Sequence, residues 1–159
     1  MNKTAGLTKI GKIWRKATRL SWADRFLLLE ALVLLAVVAP AIRLLPFPKI
    51  GRMASGPVHE PRLADPDAKV LIERVRWAVE VAAGRARWRA VCFQQGLAAQ
   101  LMLRRRGVDS TLYFGAAPDK QKGLTAHVWV RVGDTDVIGT ETAAGYATLA
   151  AFPSTKGAA

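Results

Sequence analysis

The apolar pattern of this chain changes period once, near Gly107, and that change limits what it can fold into more than any other feature. Upstream, Val70, Leu71, Val75, Ala78, Val79 and Ala82 recur at helical spacing, and Phe93, Leu97, Ala98, Leu101 and Met102 make a second apolar stripe. Downstream, residues 110–114 and 126–132 alternate with the period of a strand: Val128, Val130 and Val132 fall on one face, His127, Trp129 and Arg131 on the other. Gly133-Asp134 is a turn signal, and residues 136–139 return as a third strand after a polar loop at 116–123 earlier in the sheet. Helix, helix, strand, strand, strand predicts an α+β fold with an antiparallel sheet.

The two helices carry their own punctuation. Asp65-Pro66-Asp67 opens the first, with a capping carboxylate, a proline suited to the first turn and an acid at the positive dipole end. Gly84 ends its pattern. The second begins near Cys92 and ends in Arg104, Arg105 and Arg106, cations that complement the negative dipole end, before Gly107 closes it. The triple arginine therefore reads as helix-end chemistry and solvation, with peptide or anion binding as its other use.

With 159 residues the chain fits one domain plus an appendage: a basic and apolar helical segment at 1–47, a Pro- and Gly-rich linker at 48–64, and the domain at 65–159. Residues 1–25 hold Lys3, Lys9, Lys12, Arg15, Lys16, Arg19 and Arg25 against Asp24 alone. The apolar run from Phe26 to Phe47 is interrupted by Glu30, Pro40, Arg43 and Pro46, and its uncharged stretch at 31–42 has 12 residues. A spanning helix needs about 20. A buried or docking helix is expected there; an interfacial helix and a signal peptide are the alternatives. The expected location is cytoplasmic, with membrane-surface contact through residues 26–47 left open.

A net charge of +12 favours an acidic partner. No nucleic-acid motif accompanies it, so nucleic acid is not the expected one. The lone Cys92 excludes an intrachain disulfide and suits a reducing compartment. One Cys with His59 and His127 falls short of a four-ligand zinc site, and no metal or cofactor is expected. His59, in the linker, reads as a solvated residue.

A thiol nucleophile needs a base and a means of holding an oxyanion. Cys92 stands at a helix start, where the dipole favours thiolate and unspent amides point outward. His127 follows 35 residues later on a strand that sheet packing could bring to it, with Trp129 as an aromatic neighbour. Taken alone, a single Cys is more often a small buried hydrophobe and a single strand His is more often structural.

Longer strings add to this. The sixteen residues from Cys92 to Gly107 (CFQQGLAAQLMLRRRG) resemble the nucleophile helix of the lasso-peptide B proteins. Thr125-Ala126-His127-Val128-Trp129-Val130-Arg131-Val132 is similar to their "A-H-A-W-V-x-V" strand, and Val137-Ile138-Gly139 to the "V-I-G-G" that often follows. Trp88 and Arg89 precede the cysteine, and Leu44-Leu45-Pro46-Phe47 is similar to the family's "L-L-P-F". The resemblance implies a transglutaminase-like, papain-related fold: a helix pair packed on a small antiparallel sheet, carrying a cysteine peptidase. It implies removal of the leader from a ribosomally made precursor peptide, followed by macrolactam closure by an asparagine-synthetase-like cyclase. The first 64 residues leave no room for the family's leader-recognition domain, so a separate leader-binding protein is expected as a partner. A non-catalytic, membrane-associated peptide-binding protein of the same fold, and a transglutaminase or amidase acting on another peptide, are the competing readings.

In these roles Cys92 is the nucleophile, His127 the base, and the Cys92 amide with Trp88 the oxyanion donors. The third member is open. Transglutaminase-like sites usually add an Asp on the strand after the His, and some lasso-peptide B proteins place it about a dozen residues on; here that position is Gly139. A two-residue turn at Gly133-Asp134 pairs Val132 with Thr135 and sets Thr140 opposite His127, whereas one extra residue sets Glu141 there. Glu141 ranks first, Thr140 second, and a backbone or water partner third. Asp136 falls near Arg131, too far along to orient the imidazole.

Overall fold

The period change near Gly107 is where the last long helix ends. Gly107 adopts a left-handed φ of 71°, its N–H donates to the Arg104 carbonyl, and the Val108 N–H donates to the Leu103 carbonyl at 3.1 Å. This paired closure needs a residue without a Cβ penalty, hence the glycine. The computed structural model describes residues 20–55, 66–88, 90–119 and 123–152. Within them the order is α1 (Trp22–Leu44), α2 (Phe47–Ala54), α3 (Pro66–Arg85), α4 (Cys92–Arg104), β1 (Thr111–Asp119), β2 (Gly123–Val132), β3 (Thr135–Ile138), a 3-10 helix (Thr140–Gly145) and β4 (Ala147–Phe152). The strands form one antiparallel sheet in the order β3-β2-β1-β4. The fold is the expected α+β, helices packed on a small antiparallel sheet.

The helices cover one face of that sheet. Gly96 of α4 lies so close to β2 that a Cβ there would stand 2.8 Å from Val128 Cγ1. Phe93 meets Phe114 edge-on at 6.3 Å between centroids, and Phe47 of α2 meets Phe114 and Phe152 at 6.0 and 5.9 Å. Gln100, fully buried, donates from Nε2 to the carbonyls of Ser110 and Phe152, at 3.1 and 2.6 Å, and so ties α4 to the ends of β1 and β4. Leu97, Leu103, Leu112, Val130 and Val137 complete the middle of the core.

The apolar N-terminal run is the buried helix expected there, and Leu27, Ala31, Leu35 and Val38 of α1 join the same core as the helices and sheet that follow. The helix runs through Pro40 to Leu44, and Ser21 starts it by accepting the Asp24 N–H at 3.1 Å. The linker begins later than expected, because residues 47–54 are helical. Pro46 and Pro48 sit at the helix start, where a missing N–H costs nothing, and Ile50, Gly51 and Ala54 are buried. His59, Asp65 and Arg89 lie outside the described residues.

The arginine cluster does more than solvate a helix end. Arg106 pairs with Glu30 of α1, Arg105 approaches the same carboxylate at 3.4 Å, and Arg104 Nη1 donates to the Met53 carbonyl at 3.0 Å. Burial pulls the Arg104 guanidinium below its ordinary value, against the pull of Asp109. Among the described residues the sheet has four strands rather than three. β1 and β2 are one long hairpin, running from Thr111 opposite Arg131 to Asp119 opposite Gly123, so most of the expected polar loop is strand. Pro118 is tolerated because β4 flanks β1 only as far as Ala116, leaving that edge open.

Candidate active site

Cys92 is the first residue of α4 and half-buried. Val91, at the N-cap, supplies no side-chain bond, and its carbonyl accepts the N–H groups of Gln94 and Gln95 at 2.9 and 3.2 Å. The first amides of the helix are therefore left for solvent or a ligand, at the positive end of the dipole. Trp88, four residues earlier, packs against the core, and its indole N–H is buried without a hydrogen-bond partner among the described residues.

His127 projects from the middle of β2, half-buried. Its Nε2 lies 2.6 Å from the Gly139 carbonyl and 3.1 Å from Thr142 Oγ1. A carbonyl oxygen only accepts, so Nε2 carries the ring proton and donates it, and the lone pair of the neutral ring sits on Nδ1. The ring is further held by aromatic neighbours, Tyr146 at 5.1 Å and Trp129 at 6.2 Å between centroids, and Trp129 stacks on Tyr113 at 5.6 Å. Gly115, opposite His127 in the register, leaves the space that Trp129 fills: a Cβ there would stand 2.8 Å from the indole.

Neither Glu141 nor Thr140 holds the imidazole. The two-residue turn does pair Val132 with Thr135, and Arg131 meets Asp136 in the expected ion pair at 2.7 Å. A bulge then shifts the register so that Val130 faces Ile138. At Gly139, with φ of 75°, the chain leaves the sheet for the 3-10 helix. Glu141 is thereby carried to Arg76, which it meets at 2.7 Å. The third-ranked option, a backbone partner, is what the structure provides, with Thr142 as an addition that sequence reasoning missed. No period or motif marks Thr142; only the bulge and the left-handed glycine bring it to the ring.

Cys92 and His127 are not joined by a hydrogen bond among the described residues. β2 turns Val128 and Val130 toward α4, and His127 leaves with Trp129 on the other face. β3 pairs with β2 only from Val130 onward, so at His127 that side of β2 has no strand partner. Gly139 and Thr142, from the turn and 3-10 helix that follow β3, cover that side instead. No group of three or more His, Cys, Asp or Glu side chains is placed to hold a metal among the described residues. A cleft of about 560 Å³ lies elsewhere, between α1 and α3, lined by Leu20, Asp24, Arg74, Trp77 and Val81.

A family model described as the transglutaminase-like superfamily matches residues 31–151. The chain belongs to the transglutaminase-like superfamily. The match takes in most of α1 as well as the whole sheet up to Ala151, in keeping with a core that α1 shares. The superfamily includes cysteine peptidases. Neither the curated proteins nor the solved structures contain a match to the chain.

Proposed function

We propose that this superfamily member is a cysteine peptidase that removes the leader from a lasso-peptide precursor, with Cys92 as nucleophile and His127 as base. The observation that carries the reading is the hydrogen bond from His127 Nε2 to the Gly139 carbonyl. It fixes the tautomer in which Nδ1 is free to take a thiol proton, the task an orienting carboxylate performs elsewhere. The half-buried Cys92 at an uncapped helix start supplies the nucleophile, and the helix amides supply donors for the oxyanion.

In the proposed reaction Nδ1 takes the proton of Cys92, and the thiolate attacks the carbonyl carbon at the leader–core junction. The Cys92 amide and the unspent indole N–H of Trp88 hold the oxyanion. The imidazolium returns its proton to the leaving amine, and water then releases the leader from the thioester. The step requires thiol and imidazole to come together when the peptide binds. Contacts of this kind are commonly long in a free enzyme and tighten in the substrate complex. The protein acts in the cytoplasm beside an asparagine-synthetase-like cyclase and a separate leader-binding protein.

The test is incubation with a precursor peptide, with and without the leader-binding partner, read by mass spectrometry. Cleavage at one junction that Cys92→Ala and His127→Ala each abolish supports the reading; unchanged cleavage by Cys92→Ala contradicts it. A second reading, a non-catalytic peptide-binding protein of this fold, is favoured by the missing Cys92–His127 hydrogen bond. It predicts peptide binding without turnover. A transamidated product in place of a hydrolysed one marks the transglutaminase reading.

A further inference from the structure

α1 has two apolar faces and only one of them is used by the domain. Leu27, Ala31, Leu35 and Val38 are buried against α3 and α4. On the opposite side Trp22, Phe26, Leu29, Val33, Val37 and Leu44 are exposed, at 74%, 67%, 57%, 51%, 55% and 79%. Their spacing follows the helical turn, so they form one stripe along a helix about 34 Å long. Isolated exposed apolar residues are ordinary, but a continuous stripe of this length marks an interaction surface.

The charges around the stripe are sorted by sign. α1 contains two acids, and both are turned away and neutralised: Asp24 by Arg74 at 2.7 Å, Glu30 by Arg106 and Arg105. Exposed cations flank the stripe at both ends. Arg25 lies over the Trp22 ring at 4.9 Å; Arg43, Lys49 and Arg52 follow at the other end. In sequence, Lys3, Lys9, Lys12, Arg15, Lys16 and Arg19 precede the helix.

We propose that α1 docks the protein onto an anionic lipid surface, lying in the plane of the membrane with this stripe inserted among the acyl chains. An apolar stripe with a basic border is what an anionic bilayer surface complements. A second copy seated on the same stripe would bring two chains of net charge +12 together, which argues against self-association. α1 is long and apolar enough to cross a membrane. Crossing would nevertheless strip its inner face from the core and break the Asp24–Arg74 and Glu30–Arg106 pairs, so the helix lies on the surface instead. This proposal is independent of the peptidase reading.

The experiment is co-sedimentation of the full chain with phosphatidylcholine vesicles and with vesicles containing phosphatidylglycerol. Binding to the anionic vesicles, weakened by added salt and released by alkaline carbonate, is the expected result. A Leu29→Gln plus Val33→Gln variant, altered only at exposed positions, is expected to partition at least about tenfold less while keeping its circular dichroism and unfolding temperature. Three outcomes overturn the proposal: no preference for anionic vesicles, equal partitioning by the variant, or a concentration-dependent dimer in light scattering that the variant abolishes. Retention after the carbonate wash overturns the in-plane placement.

Discussion

The Nε2 atom of His127 lies 2.6 Å from the carbonyl oxygen of Gly139, twelve residues further along the chain. The imidazole is thus oriented by the backbone at the position where a side-chain carboxylate would be sought. Gly139 reaches this place through a φ of 75°, and a Cβ there would stand 2.5 Å from the Val128 carbonyl oxygen. Gly139→Ala is therefore expected to lower stability by about 1–3 kcal/mol and to reduce turnover more than stability explains, because the carbonyl moves with the strain. Thermal unfolding and cleavage kinetics on the same preparation check both parts.

The residues beside Gly139 separate two accounts of imidazole orientation. If Thr142 supports the ring through its hydroxyl at 3.1 Å, Thr142→Val lowers kcat severalfold and Thr142→Ser does not. Glu141→Gln is expected to leave kcat nearly unchanged. It loses only an exposed ion pair to Arg76, worth about 0.5 kcal/mol or less in stability. A large kcat loss in Glu141→Gln with none in Thr142→Val would restore the carboxylate as the orienting group.

What the sequence made legible follows from where local signals and tertiary structure agree. The start of α4 at Cys92, its glycine close, the Val128–Val132 alternation and the Arg131–Asp136 pair were all readable, because periodicity, dipole and turn chemistry point the same way there. Three features were not. α2 was hidden by prolines that sit harmlessly in its first turn. β4, with sequence ATLAAF, lacks an alternating contrast and is held mainly by pairing to β1. The partner of His127 depended on a bulge at Val130 and on the left-handed turn at Gly139, where the chain leaves the sheet and carries Glu141 and Thr140 away from the ring. For the same reason the facing of His127 relative to α4 could not be read from strand alternation without knowing which face the helices cover.

The approach of α4 to the sheet depends on the missing side chain of Gly96. Gly96→Ala is expected to cost about 1–3 kcal/mol, since its Cβ would meet Val128 Cγ1 at 2.8 Å. Val128→Ala alone also destabilises, by opening a cavity in the core. Combined, the two should be less harmful than the sum of their separate effects, which urea titration of the four proteins measures. Strict additivity would mean that the contact at Gly96 does not set the helix-to-sheet distance.

The link between α1 and α3 carries a pH signature. Hydrogen bonds from Ser21 and Arg74, together with the Arg74 charge, hold the Asp24 carboxyl below its ordinary value of 3.8. A depressed carboxyl stabilises the fold above the unfolded pKa, and that contribution is lost as pH falls through the folded one. Asp24→Asn should therefore lower stability at neutral pH and flatten the remaining acid dependence below about pH 4, as followed by thermal unfolding across pH. An unchanged acid limb in Asp24→Asn would show that this pair does not couple folding to protons.

Catalytic coupling between the head of α4 and the imidazole on β2 is tested most directly by the alkylation rate of Cys92. The chain has a single thiol, so iodoacetamide consumption at neutral pH reports that side chain alone. If His127 activates the sulfur, His127→Ala slows alkylation by about tenfold or more, and bound peptide widens the difference. Equal rates in the two proteins, free and with peptide, would contradict the account.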